Sequence, residues 1–400
     1  MGGTKKQLAV AAPTDRNSIE ADTIVRHLYV HIPFCHHICP YCSFYKHKPT
    51  RGALADRAFV DALLAELDHL TRSPFDLTIR PTTIYFGGGT PSLLSTTLQR
   101  RLLDGFAERL DFTDLREWTV EANPATFDIE KIRTLLAGGV TRISLGVQSW
   151  SPETLATLGR DHSPAEAEAA FHILRDAEVP AVNVDLMFSI PGESEESWNR
   201  TLDHTIELQP DHISAYNLNY EEDTEFFDKL SRGEFVADED CDANSFHSAI
   251  DRLTDAGFRH YEISNYARPG FESQHNRAYW GGADYLGIGP GAVSTVNGKR
   301  WTNLPDTAAY VAAIDAGTLP HTAIEELTRA QRRTEAIGLQ LRTSDGLDSQ
   351  WLANGDGNSA AASLQPLLDE GLVEWSGAGD RLILTTTGKP LVDSIAAHLL

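Results

Sequence analysis

The stretch His31-Ile32-Pro33-Phe34-Cys35-His36-His37-Ile38-Cys39-Pro40-Tyr41-Cys42 decides how the chain is read. Three of its four cysteines fall here, in a C-x3-C-x2-C spacing directly after a short apolar, β-rich run at 28–32. Three thiolates on one short loop can hold three irons of a [4Fe-4S] cube and leave the fourth iron without a protein ligand, open to chemistry. Zinc is the alternative, because Cys3His is a legitimate ligand set and His31, His36, His37 and His47 lie nearby. Zinc loops usually close their tetrahedron with paired C-x2-C knuckles, and a zinc reading leaves the loop motifs downstream unexplained. The remaining cysteine, Cys241, stands alone in an acidic stretch and reads as structural. This is no disulfide framework, and thiolates so clustered call for a reducing compartment.

Outward from this loop the chain repeats one unit, a β-rich run, then a Gly-, Pro- or Asn-marked loop, then a helical pattern. Strands are predicted at 28–32, 83–86, 118–121, 142–146, 182–187 and 212–216, with helices at 57–70, 98–110, 129–137, 165–177 and 195–208. Six such units in series imply a parallel sheet, curled by right-handed crossovers into all or part of a barrel. Polar or Gly-rich residues follow the strands at their C-terminal ends: the cysteines, then Gly87-Gly88-Gly89-Thr90, Glu121-Ala122-Asn123-Pro124 and Gln148-Ser149. A β/α barrel places its active site at that end.

The first 25 residues lack an apolar stripe and read as a flexible arm, with the barrel core over 26–300. Over 301–400 the pattern changes to helices at 308–316, 328–341 and 363–370, then a hairpin at 371–374 and 381–385 before a last helix. This reads as a smaller, mostly helical domain of winged-helix character, and 354–362 as a small-residue loop. The fold class is therefore α/β, a partial barrel of (β/α)6 type with a C-terminal domain. With 57 acidic against 34 basic residues the net charge is -23, which repels a nucleic-acid backbone. No apolar run is long enough to cross a bilayer, so a cytoplasmic protein is expected.

The cysteine loop, with Tyr41 before its last cysteine, and the Gly87-to-Ser92 loop together resemble the radical S-adenosylmethionine (SAM) superfamily. The resemblance implies that Cys35, Cys39 and Cys42 hold a [4Fe-4S] cluster whose open iron is chelated by SAM. It further implies SAM contacts from Tyr29, Tyr41, Gly88, Gly89, Thr90, Glu121, Gln148, Arg160 and Asp185, positions that match the porphyrin-linked branch. These types suit the task, because carboxylates accept from hydroxyls or an ammonium and Arg160 can meet a carboxylate with two bonds. That branch includes oxygen-independent coproporphyrinogen III dehydrogenases, which carry a further cysteine where this chain has Phe44. The segment His275-Asn276-Arg277-Ala278-Tyr279-Trp280 resembles instead the H-N-x-x-Y-W signature of HemW-type heme chaperones. This implies heme as a third cofactor, with His275, Asn276, Tyr279 and Trp280 as candidate contacts, an acceptor protein for the heme, and an electron donor if SAM is cleaved. A histidine can ligate heme iron and the two aromatics offer flat faces, although a structural histidine beside ordinary packing aromatics has the same composition. The expected function is thus a heme chaperone, with the dehydrogenase as the alternative and no residue assigned to catalysis.

Overall fold

A computed structural model describes residues 23–49, 53–72, 77–352 and 359–400. The arm expected at 1–25 lies outside the described residues except for its last three, and β1 already begins at Ile24. The repeating units appear as β1 (Ile24–Ile32), α1 (Ala53–Leu70), β2 (Thr78–Gly88), α2 (Thr96–Ala107), β3 (Glu117–Ala122), α3 (Ile129–Ala137) and β4 (Arg142–Gln148). They continue as α4 (Pro152–Thr157), α5 (Pro164–Asp176), β5 (Ala181–Phe188), α6 (Glu195–Leu208) and β6 (His212–Asn217). Each helix start is marked by a polar cap close behind a strand. Ser95, Asp128, Ser151, Ser163 and Ser194 each accept from a backbone N–H in the first turn, and Ser163 and Glu166 cap each other reciprocally. The strands are near-continuous apolar runs because helices cover one face and the barrel interior the other; β5, for example, is Ala-Val-Asn-Val-Asp-Leu-Met-Phe.

β1 to β6 pair in parallel and in chain order, as expected. Three further strands extend the sheet: β7 (Arg259–Glu262) and β8 (Asn265–Ala267) form an antiparallel edge on β6, and β9 (Leu286–Ile288) pairs parallel with β1. Among the described residues β7 and β9 remain at the two edges, so the barrel is partial. These additions are three or four residues long, too short for periodicity to register. After β6 come α7 (Glu225–Ser231) and α8 (Glu239–Asp255), and between β8 and β9 lies α9 (Gln274–Trp280), a seven-residue helix.

A second small sheet joins β10 (Val293–Val296), β11 (Lys299–Thr302) and β12 (Glu325–Glu326), with α10 (Thr307–Asp315) inserted. The remaining elements are α11 (Arg329–Gln340), β13 (Leu347–Asp348), α12 (Ser359–Asp369), β14 (Val373–Trp375), β15 (Arg381–Leu384) and α13 (Val392–Leu399). The small-residue stretch at 354–362 lies mostly outside the described residues, and α12 begins within it. The core changes later than residue 300. Trp301, Tyr310 and Ile314 pack into the barrel's own hydrophobic cluster, whereas the separate C-terminal cluster runs from Ile337 to Leu399. The helical pattern at 308–316 marked where the β/α repeat ends, not where the barrel's core does.

Glu66, on the inner face of α1, ties this late segment to the barrel. It is 1% exposed and accepts from the Gly289 N–H (2.9 Å), the Asn303 side-chain amide (2.6 Å) and the Tyr310 hydroxyl. Burial pushes its carboxyl up to about 7 despite these donors. Glu66→Ala leaves three donors without an acceptor and is expected to cost about 2–4 kcal/mol in urea unfolding. Glu66→Gln is expected to cost less, with a pH signature. Because the folded carboxyl keeps a proton that the unfolded chain releases above its ordinary value of 4.5, the parent loses this contribution as pH rises towards about 7. The variant's deficit should therefore be larger at pH 5 than at pH 8, and a deficit that grows with pH refutes the assignment.

Candidate functional site

The loop after β1 carries the cysteines and rests on the loop after β2. Gly89 donates its N–H to the Ile32 carbonyl (2.8 Å) and Thr90 to the Phe34 carbonyl (2.7 Å), continuing the β1–β2 pairing past both strand ends. The approach is close enough that a Cβ on Gly88 would fall 2.4 Å from the His31 ring and one on Gly89 2.7 Å from the Pro33–Phe34 backbone. Gly88 also has φ +110°. The glycines, expected to admit SAM, thus first of all let the cysteine loop lie on β2. The Thr90 hydroxyl likewise faces Cys35 Sγ (3.7 Å).

Cys35, Cys39 and Cys42 line one wall of a cavity of about 420 Å³ over the C-terminal strand ends. Tyr41, Gly88, Gly89, Thr90, Glu121, Gln148, Arg160 and Asp185 line it as well. Burial raises the Cys35 and Cys42 thiols above their ordinary range. Without a metal to hold them as thiolates they are neutral, and iron binding would release their protons. Among the described residues no three His, Cys, Asp or Glu side chains converge tightly enough for one metal ion.

Much of the remaining lining is polar. Arg160 reaches Cys39 Sγ (3.6 Å) and the Gly146 carbonyl (2.7 Å), while its Nε is buried without a hydrogen bond. Glu121 accepts from the Tyr85 hydroxyl (2.8 Å) and the Gly88 N–H (3.1 Å). Asp185 accepts from Ser144 (2.9 Å) and Asn183 (2.7 Å). Burial lifts Glu121 to about 7, against the hydrogen bond from Tyr85, and raises Asp185 too. Two desolvated carboxyls and an arginine with an open N–H around one cavity suit a zwitterion, whose ammonium or hydroxyl groups would meet the carboxyls and whose carboxylate would meet the arginine. Gln148 sits beyond a register shift at the end of β4 with φ +72°, a left-handed conformation unusual for its type and the kind of backbone strain found at ligand sites.

Tyr29 is the exception among the expected SAM contacts. It pairs in register with Tyr85, the two rings 6.1 Å apart, and its hydroxyl bonds His31 Nδ1 (3.0 Å). Tyr85 takes the position beside Glu121, so Tyr29 lines a different cavity.

That second cavity, of about 260 Å³, is bounded by Tyr29, Tyr85, Tyr216, Glu262, Asn265 and all four of His275, Asn276, Tyr279 and Trp280. Strands from both ends of the sheet contribute, so the open sheet is curled around it. The segment bearing α9 crosses under the N-terminal strand ends. Glu117, the first residue of β3, accepts from the Ser273 hydroxyl and from the Gln274 and His275 N–H groups (2.9–3.1 Å), and Arg142, the first residue of β4, donates to the Phe271 carbonyl (3.0 Å). The barrel is therefore lined from both ends, and the motif at 275–280 lies on the side away from the cysteines. Tyr279 is 43% exposed at the rim. Tyr85 and Tyr216 line both cavities and form the wall between them. Sequence reasoning missed both, although Tyr216 near the C-terminal end of β6 obeys the same strand-end rule that found Glu121.

The radical SAM superfamily model matches residues 29–205, which implies a [4Fe-4S] cluster and SAM. A heme chaperone HemW of Mycobacterium tuberculosis is 37% identical over 93% of this chain and 94% of its own length. The HemW of Escherichia coli is 41% identical over 66% and 68%, and that of Bacillus subtilis 31% over 92% and 97%. Among solved structures, coproporphyrinogen III oxidase HemN from Escherichia coli, a radical SAM enzyme, superposes with a TM-score of 0.80 at 25% identity, covering 95% of this chain and 90% of that one. With a glycine-cradled cysteine loop on a partial parallel barrel and full-length similarity to these relatives, the chain belongs to the HemW family of radical SAM proteins.

Proposed function

We propose that the protein is a cytoplasmic heme chaperone that takes up one heme at the second cavity and passes it to an acceptor protein. The observation that carries this reading is the joint presence of His275, Asn276, Tyr279 and Trp280 at one cavity rim, behind a two-tyrosine wall from the cysteines. At about 260 Å³ the cavity falls below the 300–1,000 Å³ of ordinary ligand pockets, so a macrocycle would be received at its mouth against Tyr279 and Trp280, with His275 as the residue that would ligate it. An exposed seat suits a carrier that must release its cargo. Cys35, Cys39 and Cys42 hold the [4Fe-4S] cluster, which supplies an open iron and one-electron chemistry when bound. Around it Arg160 meets the SAM carboxylate, and Glu121 and Asp185 accept from its donor groups. An electron donor is required only if SAM is cleaved.

Phe44 favours a carrier over a decarboxylating dehydrogenase. It lines the main cavity and is 68% exposed where those enzymes place a cysteine. Anaerobic titration with heme is expected to give a saturable Soret shift at one heme per chain, weakened about tenfold or more in His275→Ala; no shift in the parent overturns the reading. Cys39→Ala is expected to lose the visible absorbance of the reconstituted cluster while keeping the parent's far-ultraviolet circular dichroism. Robust conversion of coproporphyrinogen III to protoporphyrinogen with SAM and a reductant would put the enzyme reading first.

A further inference from the structure

His275 has a built-in partner that decides which of its ring nitrogens is free. Its Nδ1 lies 2.8 Å from the hydroxyl of Thr83, a fully buried residue of β2. The same hydroxyl lies 2.9 Å from Nδ1 of His27 on β1, so the threonine bridges two imidazoles. Among the described residues Nε2 of His275 has no hydrogen-bond partner, and the ring lines the second cavity. The ring is buried and no carboxylate touches either nitrogen, so it is neutral and carries a single N–H.

A threonine hydroxyl has one proton to donate and lone pairs with which to accept. Three arrangements satisfy both contacts. If both histidines donate to Thr83, its own proton needs a third partner, and there is none among the described residues. If Thr83 donates to His275, the His275 proton is forced onto Nε2, an N–H that then faces the second cavity with no protein acceptor among the described residues. If His275 donates to Thr83 and Thr83 donates to His27, the remaining N–H falls on Nε2 of half-buried His27, where water serves it. The last arrangement places the one N–H without a protein acceptor on the half-exposed ring rather than on the mostly buried one, where a donor without a protein partner is the costlier defect.

We propose that Thr83 is a positioning residue that holds His275 in its Nδ1–H tautomer, leaving the bare Nε2 lone pair at the second cavity as the ligand for a metal centre received there. The proposal rests on the heme reading for the identity of that centre, but the tautomer belongs to the heme-free protein. Only an unprotonated imidazole nitrogen can ligate iron, and the group bonded to the other nitrogen selects which one that is. Thr83 is also register-paired with Glu117, whose carboxylate accepts the His275 backbone N–H. Adjacent positions on β2 and β3 therefore hold the backbone and the ring of the same residue.

The test uses the heme-free full chain with 15N-labelled histidine and reads ring tautomers by two-bond 1H–15N correlation. His275, assigned by its loss in His275→Ala, is expected as the Nδ1–H form; the Nε2–H form overturns the proposal. Thr83→Val keeps the shape and removes the hydroxyl. It is expected to mix the two tautomers and to weaken heme binding about tenfold, whereas Thr83→Ser retains both parent properties. A valine variant with the parent's tautomer and affinity also overturns it. A parent in the Nδ1–H form that gives no Soret shift sinks the chaperone reading and leaves the tautomer assignment standing.

Discussion

Everything at the cysteine end of the barrel depends on two loops touching without side chains between them. The hydrogen bonds from Gly89 to Ile32 and from Thr90 to Phe34 extend strand pairing into the region where β/α loops usually diverge. Their cost is steric, because Gly88 and Gly89 tolerate nothing larger against His31 and Pro33–Phe34. In return the cysteine loop inherits the position of β2, a strand of eleven residues fixed on both sides by β1 and β3. Sites supported on rigid elements hold their geometry better than sites on free loops. Three thiols that must meet a preformed cube need that support.

The sheet then distributes the polar groups. Glu121, Gln148 and Asp185 come from β3, β4 and β5, and parallel pairing in chain order brings them to one rim. Glu121 and Asp185 accept from neighbouring residues of the sheet while lining the cavity, as Gln148 does. Arg160 is the complement, its guanidinium anchored at Gly146 and Cys39 with Nε unused. A pocket with both charges present and neither fully paired is costly when empty, and a zwitterionic ligand relieves that cost on both sides.

The strand-and-loop pattern made the barrel and its cysteine rim legible, because long apolar runs followed by marked loops are a local signal. What escaped was set by register and by long-range packing. That Tyr29 lines the second cavity beside its in-register neighbour Tyr85, whose hydroxyl reaches Glu121, follows from strand pairing and not from any local pattern. β9 was invisible because three residues around Gly287 have no periodicity of their own; they become a strand only against Leu28 and Val30. The location of the 275–280 motif was equally hidden. It follows from Glu117 capturing three donors from a segment some 156 to 158 residues away.

The shared wall has a thermodynamic consequence. Tyr85 gives its hydroxyl to Glu121 on one side, and its ring lies 5.2 Å from that of His275 on the other. One side chain cannot be repositioned for one cavity alone. Whatever factor a ligand beside Glu121 gains or loses by moving this phenol, a ligand beside His275 must experience in equal measure, because coupling between two equilibria is reciprocal. Ligands at the two cavities, if both bind, would therefore share one free-energy balance through this tyrosine.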